Sequence, residues 1–170
     1  MSNFLGIGGV SKTLRNLLRD RMQISATVTI GTPPSLSGSA QNSRVNLFLY
    51  RVEEHPNLKN QEIPGTGHPG TYGYPPLSLN LYYLVTAYGS NTSNSDSFLD
   101  ETLSQQVLGS CMRVFHDYPI ISEDLEAISG SVPVIIDPDI QNEFERIKIT
   151  LEPITLDEIS KIWSSFSTPL

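Results

Sequence analysis

The run from Arg44 to Val52, RVNLFLYRV, carries apolar side chains at nearly every position. Side chains alternate sides along a strand. Val45, Leu47 and Leu49 are therefore expected on one face, and Phe48, Tyr50 and Val52 on the other. A strand that is apolar on both faces belongs inside a sheet, with cover above and below. The rest of the chain has to supply its neighbours and its covering layers.

Two neighbours are legible. ATVTIG is β-branched and alternating, and it is expected to end at Gly31, Pro33 and Pro34. LSLNLYYLVTAY places Leu77, Leu79, Leu81, Tyr83, Val85 and Ala87 on one face. Between these strands, Ser35–Ser43 reads as a small-polar loop.

Three helices are expected to cover the sheet. Phe4, Ile7, Val10, Leu14, Leu17, Leu18 and Met22 fall close to a helical stripe, firm from about Val10 and weakened earlier by Gly8 and Gly9. Leu99, Leu103, Val107, Cys111, Val114, Phe115 and Tyr118 form a second stripe, with Asp96 or Ser97 as cap and Pro119 as stop. Thr155 and Glu158 form a T-x-x-E capping box before Leu156, Ile159, Ile162, Trp163 and Phe166.

Between the last two helices the signals are weaker. Ser122–Ile128 reads as one short helix. VPVIID contains Pro133, which removes a ladder donor, so it reads as an edge strand or an extended segment. ERIKITLE alternates, with Ile147, Ile149 and Leu151 inward and Arg146, Lys148 and Thr150 outward. Helices and strands do not alternate strictly. The expected class is α+β: a mixed or antiparallel sheet of about four to five strands with three main helices packed on it.

Length and charge narrow the partner classes. At 170 residues the chain fits one domain with a sizeable core. Charged residues make up 17 %, against about 25 % in typical globular chains, which favours a surface partly covered by partners. The formal net charge is −7, and the basic residues are scattered apart from Arg15, Arg19 and Arg21. Nucleic acid is therefore not an expected partner, since grip on phosphate needs clustered Lys and Arg. No apolar run reaches the ~18 residues of a membrane span, so no direct membrane insertion is expected. MSNFLGIGGVSK lacks the pattern of a secretory leader, and folding in the cytoplasm is expected.

Motifs for chemistry are weak. GTGHPG, at 65–70, matches G-x-G-x-x-G by letter. The dinucleotide fingerprint has to leave a strand and open a helix, whereas this one, with Pro64 before it and Pro69 within it, lies in a stretch without helical pattern. GIGGVSK lacks the Gly-Lys-Ser/Thr order of a phosphate loop. His55, His68 and His116 form no ligand spacing, so no metal is expected. Cys111 lies on an apolar stripe and reads as core rather than nucleophile; as the lone cysteine it excludes an internal disulfide. No catalytic residue and no cofactor are assigned.

The strand that opens the argument continues into an irregular arm at about 53–76. Nine of the 21 residues from Pro56 to Pro76 are Pro or Gly, yet Leu58, Ile63, Tyr72 and Tyr74 are interspersed. Structureless loops beyond ~12–15 residues are uncommon in compact domains and are usually functional or disordered. Tyrosine is well suited to interfaces. The arm is expected to order against another subunit, with a mobile hairpin loop as the alternative. Glu54, Lys59, Tyr72 and Tyr74 are the candidate contact residues.

Four blocks carry a family resemblance: RVNLFLYRVEEHPNLKN, PLSLNLYYLVTAYG, LGSCMRVFHDYP and ERIKITLEPITLDEISKIWSSF. Together they resemble the tube-cap, or tail-terminator, proteins of extracellular contractile injection systems, in family order from about Phe4 to Phe166. The resemblance implies a structural, non-enzymatic cap protein in a phage-tail-like particle assembled in the cytoplasm, then released or moored to a membrane. It implies a hexameric ring closing the baseplate-distal end of the inner tube, with the tube protein and the last sheath layer as partners. Related chains continue into a further strand where this one ends at STPL, so the resemblance also implies a shortened member or a fragment. Two alternatives stay open: another ring component, such as a tube-baseplate adaptor, or a small ligand-binding or enzymatic domain using the 65–70 loop.

Overall fold

The computed structural model describes residues 4–33, 42–58, 77–89, 97–141 and 146–166; for residues 97–101 only the backbone is described. Helix α1 spans Gly6–Arg21, followed by strands β1 (Thr27–Ile30), β2 (Arg44–Glu54) and β3 (Leu79–Tyr88). Helix α2 (Ser97–Asp117), strand β4 (Ile120–Ile121), a 3-10 turn at Pro138–Ile140, strand β5 (Ile147–Lys148) and helix α3 (Leu156–Ser164) complete the order. The class is α+β, as expected, but the five strands among the described residues divide into a three-stranded sheet, β1-β2-β3, and a separate two-stranded one, β4-β5.

β2 is the central strand, parallel to β1 and antiparallel to β3. Parallel neighbours need a crossover of a dozen or more residues, and 31–43 provides it. Its first residues fold back over one face of the sheet. Pro33 is fully buried there, and its carbonyl accepts from the Tyr88 hydroxyl at 3.2 Å. Asn46, buried beneath, donates to the Gly31 carbonyl at 2.9 Å and accepts from Thr29 Oγ1 at 3.1 Å. A buried amide is tolerable only when its hydrogen bonds are made.

The opposite face carries the core. Val28, Val45 and Leu47 meet Leu14, Leu17 and Leu18 of α1 and Val107, Cys111 and Val114 of α2, with Tyr83, Val85 and Ala87 packed at the margin. Tyr83 reaches α1 through a 2.6 Å hydrogen bond to Ser11 Oγ. Burial pushes the Tyr83 phenol up, only partly offset by Ser11. Cys111 is a core residue, with burial pushing its thiol up to about 12.

Several boundaries differ from the sequence reading. α1 starts at Gly6, earlier than Val10, and Phe4 lies in a turn ahead of it, exposed and off the stripe. Gly9 explains how the first turns pack: an added Cβ there would lie 2.5 Å from Ile140 Cγ2. Leu77 is exposed and precedes β3. Ser43, read as part of a polar loop, is buried, and its carbonyl accepts from Thr27 N at 2.9 Å.

Residues 122–137 form neither the short helix nor the edge strand that their sequence suggests. They run as an irregular strap whose backbone is satisfied by side chains of α1. Asn16 Nδ2 donates to the carbonyls of Val134 and Ile135, Arg19 to Ser131 and Arg21 to Glu126, while Thr13 Oγ1 accepts from Asp137 N. Lys12 pairs with Asp139 at 2.9 Å. Asp20, its side chain fully enclosed, accepts from Ile128 N, Ser129 N and Ser129 Oγ. Backbone groups need partners wherever they are buried, and here one polar helix face supplies them. Val132, Ile135 and Ile140 then fill the core beneath.

Candidate assembly surfaces

Candidate contact surfaces lie on the sheet face away from the core and at the Glu54–Leu79 end of the β2–β3 pair. Register sets them. Leu49 pairs with Tyr83 and Arg51 with Tyr82, so Tyr50 is an extra residue in β2, a β-bulge. A bulge shifts alternation by one residue. Phe48 and Tyr50 lie on the outer face, as the alternation predicts. Val52 does not: it pairs with Leu81 and so shares the face of Tyr83 and Val85, beyond the reach of the helices and 44 % exposed. Arg51 and Glu53 move to the outer face in its place.

A compact polar-aromatic cluster results. The Arg51 guanidinium lies 4.7 Å from the centre of the Tyr82 ring, and Nε donates to Glu53 Oε1 at 2.8 Å. The Tyr82 hydroxyl donates to Glu53 Oε2 at 3.2 Å, and the Tyr50 ring sits 6.3 Å from that of Tyr82. The hydrogen bond between Arg51 and Glu53 holds the guanidinium above its ordinary value and the carboxyl below its own. Loss of water around Tyr82, then its bond to Glu53, pushes the phenol up. Chemically the cluster is a hydrogen-bonded, half-solvated polar-aromatic patch.

α3 crosses the same face. Phe166 meets Phe48 edge-on at 5.6 Å, and Trp163 meets Phe166 at 5.6 Å. The expected capping box is present: Glu158 N donates to Thr155 Oγ1 while Glu158 accepts from Thr155 N at 3.0 Å. That backbone donor, and next the Thr155 hydroxyl, holds Glu158 below the usual carboxylate range; the charge of Arg51 adds to it. Yet no residue of α3 is buried. Leu151, expected inward, is 82 % exposed, because the β4-β5 ladder ends at Lys148. Leu156, expected on the packed face, is 80 % exposed at the first turn.

Of the contact residues singled out from sequence, Glu54 sits exposed at the end of β2, opposite Leu79. Lys59, Tyr72, Tyr74 and the 65–70 loop with His68 lie outside the described residues. His55 follows β2, its amide donating to the Ser78 carbonyl at 2.8 Å; His116 is exposed in the last turn of α2. The two histidines belong to different elements. Among the described residues no group of three or more His, Cys, Asp or Glu is placed to hold a metal, and no helix is long and apolar enough to cross a membrane. The Arg51–Tyr82–Glu53 cluster was missed in sequence. Its i, i+2 charge pair was visible, but the bulge that turns it toward Tyr82 was not.

Comparison with curated proteins finds no match. Among solved structures, the fold is similar to the sheath/tube terminator of the PVC extracellular contractile injection system in its extended state. The TM-score is 0.57 at 15 % identity, over 95 % of this chain and 50 % of that one, so the chain spans about half the length of the terminator. The profile of the Pvc16 N-terminal domain matches residues 9–170. With nearly the whole chain inside that match, the protein belongs to the Pvc16 N-terminal domain family.

Proposed function

We propose that this chain is a terminator subunit of a contractile injection system, acting by shape at the end of the tube and sheath. The observation that carries the reading is the agreement in fold with a sheath/tube terminator across 95 % of the chain, together with the family match over residues 9–170. A stack of rings joined head to tail has no intrinsic end. A terminator binds the growing face without presenting that face again. The parts such a subunit needs are a rigid core, a flank for ring closure and a face for the ring below.

In this reading six copies form a ring at the baseplate-distal end, touching the inner tube protein and the last sheath layer. Glu54 at the exposed end of β2, with Lys59, Tyr72 and Tyr74 after it in sequence, contributes subunit contacts. The subunit assembles in the cytoplasm and leaves or stays with the particle as a passive component. Deleting the chain tests the reading: negative-stain images are expected to show tubes of uncontrolled length or no finished tubes. Particles of normal, uniform length would contradict it.

A further inference from the structure

The strap at 122–137 is pinned to α1 by side chains rather than by a ladder. Toward one end, Ile128 N, Ser129 N and Ser129 Oγ all donate to the Asp20 carboxylate, at 2.7–3.1 Å. At the other end, Asp137 N donates to Thr13 Oγ1 at 2.9 Å. Thr13, Asn16 and Asp20 are spaced by three and four residues, so they lie on one stripe of the helix. Asn16, between the two pins, donates to the Val134 and Ile135 carbonyls. Gly130, at φ +69°, turns the chain just after the Asp20 pin, a conformation that suits glycine. Beyond it Val132 and Ile135 drop into the core as two apolar plugs. The Asp20 pin is the strongest, because hydrogen bonds to an ionised carboxylate are roughly twice as strong as neutral ones. Its neighbour Arg21 donates to the Glu126 carbonyl at 2.6 Å and lies 5.1 Å from the centre of the Tyr118 ring, which ties the start of the strap to the end of α2.

We propose that residues 122–137 are a latch that opens and shuts as one unit over an intact helix–sheet body, with Asp20 as its clasp. Folded chains open locally in contiguous units, and those with little ladder bonding open before the core does. The pins share one rigid helix face, and the two plugs sit between them. Lifting either plug therefore strains both pins, and the strap leaves its seat whole. The body does not need the strap to hold together: Leu17 and Leu18 of α1 share one cluster with Val45 and Leu47 of β2 and Val107 and Val114 of α2. Opening gives the subunit a second state, in which Thr13 and Asp20, both buried when the latch is shut, face water. That rehydration compensates part of the lost bonding, so opening requires less free energy than unfolding.

Native-state amide exchange of the full chain in dilute urea tests the latch. The Ile128, Ser129 and Asp137 amides are expected to share one opening free energy and one urea slope, both smaller than those of the Leu17 and Leu18 amides, since the slope follows the surface exposed. Strap amides that match Leu17 and Leu18 in both quantities overturn the proposal, because the strap then opens only with the whole fold. Asp20→Asn sets amide donors against the Ile128 and Ser129 donors. It is expected to speed exchange about ten- to a hundredfold, and by the same factor at Asp137 as at Ile128, although Asp137 bonds to Thr13 and not to Asp20. Faster exchange at Ile128 and Ser129 with Asp137 unmoved overturns the proposal, because the strap then frays piece by piece. Ser129→Ala removes one of the three donors to Asp20 and serves if Asp20→Asn does not fold. Its expected acceleration is smaller but again equal at Ile128 and Asp137, and unequal factors overturn the latch.

Discussion

An added Cβ at Gly9 would lie 2.5 Å from Ile140 Cγ2, whereas one at Gly8 would meet nothing within 4 Å. The two neighbours in α1 should therefore respond to alanine with opposite signs. Gly8→Ala gains helix propensity and is expected to stabilise the fold by about 0.5–1 kcal/mol. Gly9→Ala gains the same propensity but overpacks the 3-10 turn, which costs about 1–3 kcal/mol, so a net loss is expected. Urea midpoints of the two variants check this, and shifts of the same sign would contradict the packing. Asp20 gives a second test at this scale. Burial alone would raise its carboxyl, but donors from Ile128 and Ser129, with Arg21 beside it, bring it below the ordinary value of 3.8. A carboxylate depressed in the folded state stabilises above its unfolded value, and that contribution is lost as pH falls through the folded one. Asp20→Asn is expected to cost about 1.5–3 kcal/mol near neutral pH. The gap from the unsubstituted protein should hold down to about pH 4 and close only below that. A gap that closes between pH 7 and 5 would rule Asp20 out as its cause.

Among the elements, α3 differs from α1 and α2 in having no buried residue. Thr155→Ala removes its capping box and is expected to cost about 1 kcal/mol locally. The loss should appear as faster amide exchange in α3, with the global urea midpoint nearly unchanged. Leu17→Ala in the core is expected to cost about 2–5 kcal/mol globally. Equal effects on the global midpoint would show that α3 is part of the cooperative core. The same contrast explains what the sequence made legible. α2 and the middle of β2 were readable because periodicity and burial agree there: Val107, Cys111 and Val114, and Val45 and Leu47, all face the core. The capping box of α3 was readable because it is local. Val52 was misplaced because a bulge at Tyr50 leaves no periodic signature. The 122–137 strap was misread because its hydrogen bonds come from Thr13, Asn16, Arg19, Asp20 and Arg21, over 100 residues earlier. The candidate contact surface is half legible: the exposure of Glu54 follows from its place after the apolar run, but the Arg51–Tyr82 stacking depends on register.

At the scale of the whole molecule, one sheet face is closed by α1, α2 and the strap, while the other is shared by Gly31 and Pro33, the Arg51 cluster and a lightly held helix. That asymmetry suits a subunit that keeps one side for its own stability and offers the other to neighbours. Reconstructing the baseplate-distal end of intact particles tests this most directly. The account expects a single ring of six copies there, capping the tube beside the last sheath layer, with the β2–β3 outer face and α3 at subunit contacts. A particle whose distal end is closed by another protein, or that carries this chain only elsewhere along its length, would contradict it.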